Sequence, residues 1–274
     1  MNSSSTLALA GAPPRSDVAP AFDVLRVGAA LCFIGHGAFG FIGKEGWLPY
    51  FAVAGIPPRW AWGLMPWIGA VDVLAGMAVL FAPRRLPLIY MAVWGAWTAL
   101  LRPLAGESVF EAVERAGNYG VPLALLLLVG LPRSWGALMA VVGPAEADPR
   151  ARERARAALR WTTCLLLAGH GALGALVGKP LLAEHYLAVG LPGATTGLVG
   201  WFEIGLAGLV AASPHPALLA FVAAWKLATE SLFLVSGAPV WEFVERAGSY
   251  AAPLALALLA VPVRPSRAAR APEA

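Results

Sequence analysis

Apolar runs about as long as a bilayer is thick recur along this chain, and they constrain its fold more than any other feature. They cover Phe22 to Gly43, Arg59 to Phe81, Leu86 to Leu101, Tyr119 to Leu131, Ala155 to Val177, Thr195 to Ala212, Pro216 to Ser236 and Val240 to Val261. A helix needs about 20 apolar residues to cross the hydrocarbon layer. The runs are long and do not alternate, so they predict helices rather than barrel strands. Tyr119 to Leu131 reaches that length only if the polar helix predicted over Ser108 to Gly117 continues into it. Composition agrees: 59% of the residues are hydrophobic and 13% are charged. Soluble domains carry about a quarter charged residues, and there is too little polar surface here to coat a soluble core. The expectation is an all-α integral membrane protein with eight transmembrane helices.

The runs fall into two matching sets. Arg26 and His36 stand ten apart, as do Arg160 and His170. Gly35-His36-Gly37-Ala38-Phe39-Gly40 matches Gly169-His170-Gly171-Ala172-Leu173-Gly174, and Gly43-Lys44 matches Gly178-Lys179. Asp72 answers to Glu203, and Trp94 and Thr98 answer to Trp225 and Thr229. Glu111-Ala-Val-Glu114-Arg115-Ala-Gly117 matches Glu242-Phe-Val-Glu245-Arg246-Ala-Gly248. The offset begins at 134 residues and settles at 131. The boundaries expected are a disordered lead over 1–21, a first four-helix half over 22–131, a linker over 132–154, a second half over 155–261 and a disordered tail over 262–274. An even number of spans per half makes the repeat parallel, with its pseudo-twofold axis along the membrane normal.

Orientation follows from the basic residues. With the N-terminus inside, the cytoplasmic side carries Arg15, Arg26, Arg84, Arg85, six arginines from Arg133 to Arg160, and Arg264, Arg267 and Arg270. The other side carries Lys44, Arg59, Arg102, Arg115, Lys179 and Arg246, thirteen against six. Both termini are therefore expected in the cytoplasm. The net charge of +4 reports topology and calls for no nucleic-acid partner. The lead lacks an apolar core behind basic residues, so it does not read as a cleaved signal peptide. Arginine preference and alanine richness point to a GC-rich bacterium, hence to its inner membrane.

Several motifs carry chemistry. Gly35-x-Gly37-x-x-Gly40 matches the dinucleotide fingerprint in letters, but it lies inside an apolar helix with no strand before it. Its glycines suit close helix packing instead. His36 and His170 are ionisable groups within membrane segments, which makes each a functional candidate. Three uses stay open: a hydrogen bond between helices, a proton-handling or quinone-contacting ring, and axial ligation of haem, for which nothing else marks a site. Asp72 and Glu203 must pair, protonate or face a polar cavity, and His36 and His170 are available partners. Lys226 and Glu230 are i,i+4 in the second set, where the first has Gly95 and Ala99, so a ligand held by one half alone is expected in the second. The candidate ligand-binding residues are thus His36, Asp72, Trp94, His170, Glu203, Trp225, Lys226 and Glu230. Glu111, Glu114, Arg115, Glu242, Glu245 and Arg246 form charged units at the non-cytoplasmic mouth, as a gate or as satisfied helix entrances. Glu111 and Arg115 are spaced to pair along one helix face. Ser108-x-x-Glu111 fits a capping box. His185 and His215 are expected at the surface. Cys32 and Cys164 read as small buried thiols, and no residue set has the spacing of a metal site or a known catalytic constellation.

Leu25-Arg26-x-Gly28 followed by His36-Gly37 and Gly43-Lys44 resembles the first helix of DoxX-like membrane proteins. Tyr50-Phe51-Ala52-x-x-Gly55-Ile56-Pro57 resembles the short segment that follows it there. Gly69-Ala-Val-Asp72-Val-Leu-Ala-Gly76 resembles the second helix, where the acid is usually Glu. Tyr186-Leu-Ala-Val-Gly190-Leu-Pro192 and Glu203 repeat these elements, while the Glu-x-x-Glu-Arg units lie outside the resemblance. The family unit is a single four-helix bundle, so this chain resembles a fused pair. The resemblance implies a membrane component of a redox system, since the family includes a subunit of thiosulfate:quinone oxidoreductase. Quinone is then the ligand and a redox protein the partner. A small-solute carrier and a non-catalytic scaffold are the alternatives.

Overall fold

The computed structural model describes residues 16–144 and 148–261. Arg15, Arg264, Arg267 and Arg270, and the disorder expected for 1–15 and 262–274, lie outside the described residues. The described chain is helical, and among the described residues the only β-type pairing is an isolated bridge between Arg84 and Val141. The helices are α1 (Ala19–Ile42), α2 (Leu48–Val53), α3 (Pro58–Phe81), α4 (Arg85–Leu104), α5 (Val109–Glu114), α6 (Ala116–Leu128), α7 (Trp135–Met139), α8 (Pro149–Ala172), α9 (Pro180–Ala188), α10 (Thr195–Ala212), α11 (Pro216–Val235), α12 (Val240–Val244) and α13 (Ala247–Ala260).

Four of these, α1, α3, α10 and α11, are long and apolar enough to cross a membrane. A fifth is reached if α8 and α9, joined across a 95° bend, count as one span. Helix α4 has 20 residues, but Tyr90, Trp94, Trp97 and its terminal arginines dilute its apolar character. Helices α6 and α13 have 13 and 14 residues. At 1.5 Å per residue each covers about 20 Å, short of a ~30 Å hydrocarbon layer. The outer face is apolar: Trp67, Leu74, Phe81, Val93, Trp135 and Leu198 are among many large exposed side chains. A surface of that kind fits lipid contact rather than water.

Helices α1, α6, α8 and α13 form the centre, with Leu25, Leu125, Leu159 and Leu256 in one buried cluster. Helix α3 lies on α1, α10 on α8, α4 on α6 and α11 on α13. Glycines set the closest approaches. A Cβ on Gly37 would sit 2.6 Å from the Gly69 carbonyl oxygen, and one on Gly171 would sit 2.6 Å from that of Gly200. The glycine motifs thus serve helix packing, as small residues do in membranes. At the opposite end arginines close exposed helix carbonyls: Arg26 donates to Leu80 (2.6 Å), Arg85 to Gly130 (2.7 Å) and Val129 (2.7 Å), and Arg152 to Leu259 (2.9 Å). A cation there also meets the negative end of the helix dipole.

Some expected boundaries shift. Helix α1 starts at Ala19 rather than Phe22, with Pro20 in its first turn, where its missing N–H costs nothing. The expected linker over 132–154 contains α7 and the first turn of α8. Asp148 caps α8 by accepting from the Arg150 amide (3.3 Å), and Pro149 follows at the first position. The last run is broken between Val244 and Ala247, and the polar helix before α6 is likewise broken at Arg115.

Candidate functional site

Two buried carboxylates anchor the helices around them. Asp72 on α3 is fully buried, which would cost several kcal/mol without partners (about 3–5 when a buried charge loses its mate). His36 Nδ1 on α1 lies 2.7 Å from its Oδ2, and Tyr90 on α4 donates to its Oδ1 at 2.7 Å. Glu203 on α10 is also fully buried. It bonds His170 Nδ1 on α8 and accepts from Trp225 Nε1 on α11 (3.0 Å) and from Lys226 Nζ (3.4 Å). The acid–histidine pairing expected as one option is made in both places.

Lys226 and Glu230 extend the second group. Lys226 is 1% exposed and pairs with Glu203 (3.4 Å) and Glu230 (3.1 Å). Glu230 in turn meets Arg246 Nε at 3.3 Å. The charges there are matched internally.

The breaks at Arg115 and Arg246 place charged residues among the central helices. Lys44, just past the left-handed Gly43 (φ +72°) that ends α1, pairs with Glu242 at 2.7 Å. Lys179, just past Gly178 (φ +66°), pairs with Glu111 at 2.6 Å. Arg115 pairs with Glu245 at 3.5 Å, and Arg246 with Glu242 (2.7 Å) and Glu245 (3.1 Å). So the local pair expected between Glu111 and Arg115 is not made: the Arg115 guanidinium turns to Glu245, just past α12. Its counterpart, Glu242 with Arg246, is made. Ser108 does cap α5, accepting from the Phe110 amide (3.3 Å), but Glu111 serves Lys179 and Arg102 (3.5 Å) instead of closing the box. Glu114 lies on the last turn of α5, where its backbone packs against Gly169 of α8.

His215 is exposed and caps α11, as its surface placement anticipates. His185 is not at the surface: it is 3% exposed. Helix α9 folds back at the 95° bend and lays the ring edge-on to Phe233, 4.3 Å between centroids. Burial, with Arg246 nearby, pushes its pKa below the ordinary imidazole value. Tyr50 occupies the matching place after α1, 135 residues earlier (185 − 50), and donates to Glu107. Burial there lifts the phenol to about 12.

A cavity of about 200 Å³ opens beside His36. Trp47 is stacked on the His36 ring at 4.5 Å and 25°. Phe51, Ile68, Trp94 and Leu101 supply apolar wall, and Lys44, Thr98, Arg102, Arg115, Asn118 and Glu245 supply polar wall. Trp94 Nε1 is buried with no hydrogen-bond partner. An unmade bond of that kind costs about 1–3 kcal/mol. The cavity therefore lies in the first set, whereas the one-sided site was expected with Lys226 and Glu230 in the second. Those residues close on each other, while the cavity lies beside His36 and Trp94. His170, Glu203, Trp225, Lys226 and Glu230 are brought together, but as an ion-paired cluster. Tyr90 and Trp97 carry no sequence signal of their own, since an aromatic in an apolar helix looks the same whether it faces outward, an acid or a cavity, and the aromatic stretch that holds Trp47 reads as headgroup-level anchoring rather than as a stacking partner for His36.

No protein-family model, curated protein or solved structure matches the chain.

Proposed function

We propose that this chain is an eight-span membrane protein built from two parallel DoxX-like halves, and that it holds a quinone-like apolar ligand beside His36 as the membrane component of a redox system. The spans are α1, α3, α4, α5 with α6, α8 with its following turn, α10, α11, and α12 with α13. Reciprocal contacts support the duplication. Lys44 reaches Glu242 and its mate Lys179 reaches Glu111. Gly35 packs on Glu245 while Gly169 packs on Glu114. Gly117 packs on its own mate, Gly248, as two residues straddling a twofold axis would. The arginine bias puts both termini in the cytoplasm of a bacterial inner membrane. Reporter fusions at the two ends test this: activity of a periplasmic reporter at either end overturns it.

The observation that carries the ligand reading is the His36 cavity, whose lining combines aromatic side chains with several hydrogen-bonding residues. Ligand pockets have that mixture of apolar lining and few convergent polar groups. Purified protein in lipid nanodiscs is expected to bind a short-chain quinone saturably, and His36→Ala, with its helix content intact, is expected to lose it. Absence of any binding by the wild type sinks the reading. One feature favours a carrier as second reading: broken helices that bring charge to the protein interior are a device of transporters. Labelling of an introduced cysteine at Thr98 from both sides of the membrane would select it.

A further inference from the structure

A second cavity, of about 110 Å³, lies at the arginine-rich end of α8 and shares no lining residue with the one beside His36. Glu153, Arg156, Ala157, Arg160 and Trp161 line it from α8. Their spacing of i, i+3, i+4, i+7 and i+8 puts all five on one face of the helix. Pro214, in the turn after α10, and Leu256 of α13 complete the lining.

The matching face of α1 shows which part of this the fold itself requires. Arg26 donates to the Leu80 carbonyl at the end of α3, and Arg160 donates to the Ala211 carbonyl at the end of α10. Closing a neighbouring helix is thus common to both. The charges around the two arginines differ. Arg26 is neutralised by Asp23 at 3.0 Å. At the offset of 134 residues the place of Asp23 is taken by Ala157, and Arg160 has no carboxylate partner among the described residues. The place of Phe22, which is buried, is taken by Arg156. Its one carboxylate contact among the described residues is Glu153 at 3.8 Å, and that side chain is 73% exposed. So long and solvated a pair holds Arg156 weakly. Two cations therefore face this cavity with little to answer them. Arg150 and Arg154, both exposed on the same helix, add to the positive potential.

Beyond the arginines the face turns apolar. Trp161 is 59% exposed, and Leu165, one turn further on, is 39% exposed. An exposed tryptophan near the end of a span suits the headgroup level. Arg160 and Arg156 stand one and five residues before it, about 1.5 and 7.5 Å nearer the helix start. Two guanidinium groups above an apolar stripe match a phospholipid in order as well as in charge. Arginine forks suit phosphate oxygens, and basic pockets between helices at a membrane surface hold anionic headgroups. A free phosphate would answer the arginines and leave the stripe unused.

We propose that this cavity binds the headgroup of an anionic phospholipid, with its phosphate on Arg156 and Arg160 and its acyl chain along Trp161 and Leu165. The site rests on the reading of the chain as a membrane protein and is independent of the His36 cavity.

The test offers the full chain, in neutral detergent, equal amounts of phosphatidylglycerol and phosphatidylcholine, and counts the bound lipid by native mass spectrometry. One phosphatidylglycerol is expected to be retained in preference. Arg156→Gln removes a cation that closes no helix, and is expected to weaken that retention about fivefold, the worth of one basic residue at an anionic surface. Ala157→Asp gives Arg160 the acid that Arg26 already has, while its bond to the Ala211 carbonyl stays. It is expected to weaken retention to a similar degree. Arg133→Gln, at an exposed position outside the cavity, is expected to change nothing. Equal retention of phosphatidylcholine overturns the proposal, as does full retention of phosphatidylglycerol in Ala157→Asp. A loss in Arg133→Gln as large as in Arg156→Gln would show diffuse attraction instead of a site, and overturns it too. Displacement of the lipid by an equal concentration of inorganic phosphate would show a free-phosphate site and overturn the lipid assignment. Should Arg156→Gln fail to fold, Ala157→Asp still decides. If alkaline washing strips the chain from membranes, the membrane reading falls and the site with it; if the chain stays and prefers neither lipid, the site alone falls.

Discussion

The two buried acids share a histidine and differ in everything else around them. Asp72 is held by His36 and Tyr90 beside an open cavity. Glu203 is held by His170, Trp225 and Lys226 within a chain of ion pairs that runs on to Glu230 and Arg246. The difference separates two jobs. The acid–histidine bond ties neighbouring helices together in both places, so it is a structural tie before it is anything else. The cavity lies beside the first acid, and the counterparts of Lys226 and Glu230 there are Gly95 and Ala99, which are buried against neighbouring helices. Gly95 could not become a lysine without movement, because its Cβ would meet the Asn118 carbonyl oxygen at 3.0 Å.

The largest effect should come from breaking the filled site. Lys226→Met leaves Glu203 and Glu230 buried without their shared cation, and thermal unfolding in detergent is expected to show a loss of about 3–5 kcal/mol. Adding Glu230→Gln should return part of that loss, because one of the two stranded charges goes with it. A Lys226→Met protein as stable as wild type would mean the two acids are not charged in the fold.

Next comes the contact between the two sets. A Cβ on Gly248 would lie 2.5 Å from the Gly117 carbonyl oxygen. Gly248→Ala is expected to cost about 1–3 kcal/mol by overpacking, and Gly117→Ala about the same if a twofold relates the sites. Clearly unequal losses would break the symmetry.

A smaller effect concerns pH. Burial holds the His185 pKa down, so the unfolded chain takes up its proton first. Its contribution is present above the unfolded value of about 6.5 and is lost as pH falls below it. Between about pH 7.5 and 5.5, the wild type should lose more thermal stability than His185→Gln, which carries no proton to gain. Equal losses would count against a buried neutral ring.

The smallest effect is expected at Lys44 and Lys179, whose side chains are 27% and 25% exposed. Replacing either by Met should cost about 0–1 kcal/mol, as partly solvated pairs do. A large and unequal cost would show that the two crossing contacts do different work.

Much of this was readable from residue order, for physical reasons. Apolar runs must become helices in lipid, so α10 and α11 begin where the runs at Thr195 and Pro216 begin. A buried acid needs a partner, so Asp72 and Glu203 pointed to the two histidines. The partners that sequence hid lie across breaks. Arg115 sits four residues from Glu111, the spacing of a helical pair, but it pairs instead with Glu245, 130 residues away. Tyr90 and Trp97 belong to one helix with one composition, yet one grips an acid and the other is 43% exposed. His185 follows a bend whose angle no local pattern encodes, so its burial against Phe233 was out of reach. The cavity itself is lined from α1, α2, α3, α4 and the break at Arg115, so no single run of sequence announces it.

The crossing ion pairs also bear on how the chain is made. Synthesis delivers α1 to α6 first, so for a time Lys44 and Arg115 stand without Glu242 and Glu245, and Glu111 has Arg102 but lacks Lys179. The early half is therefore an unfinished object, held open until the late half arrives to neutralise it. A chain stopped near residue 131 would present those charges to the cell's quality-control machinery, whereas the two halves made as separate polypeptides should rescue each other.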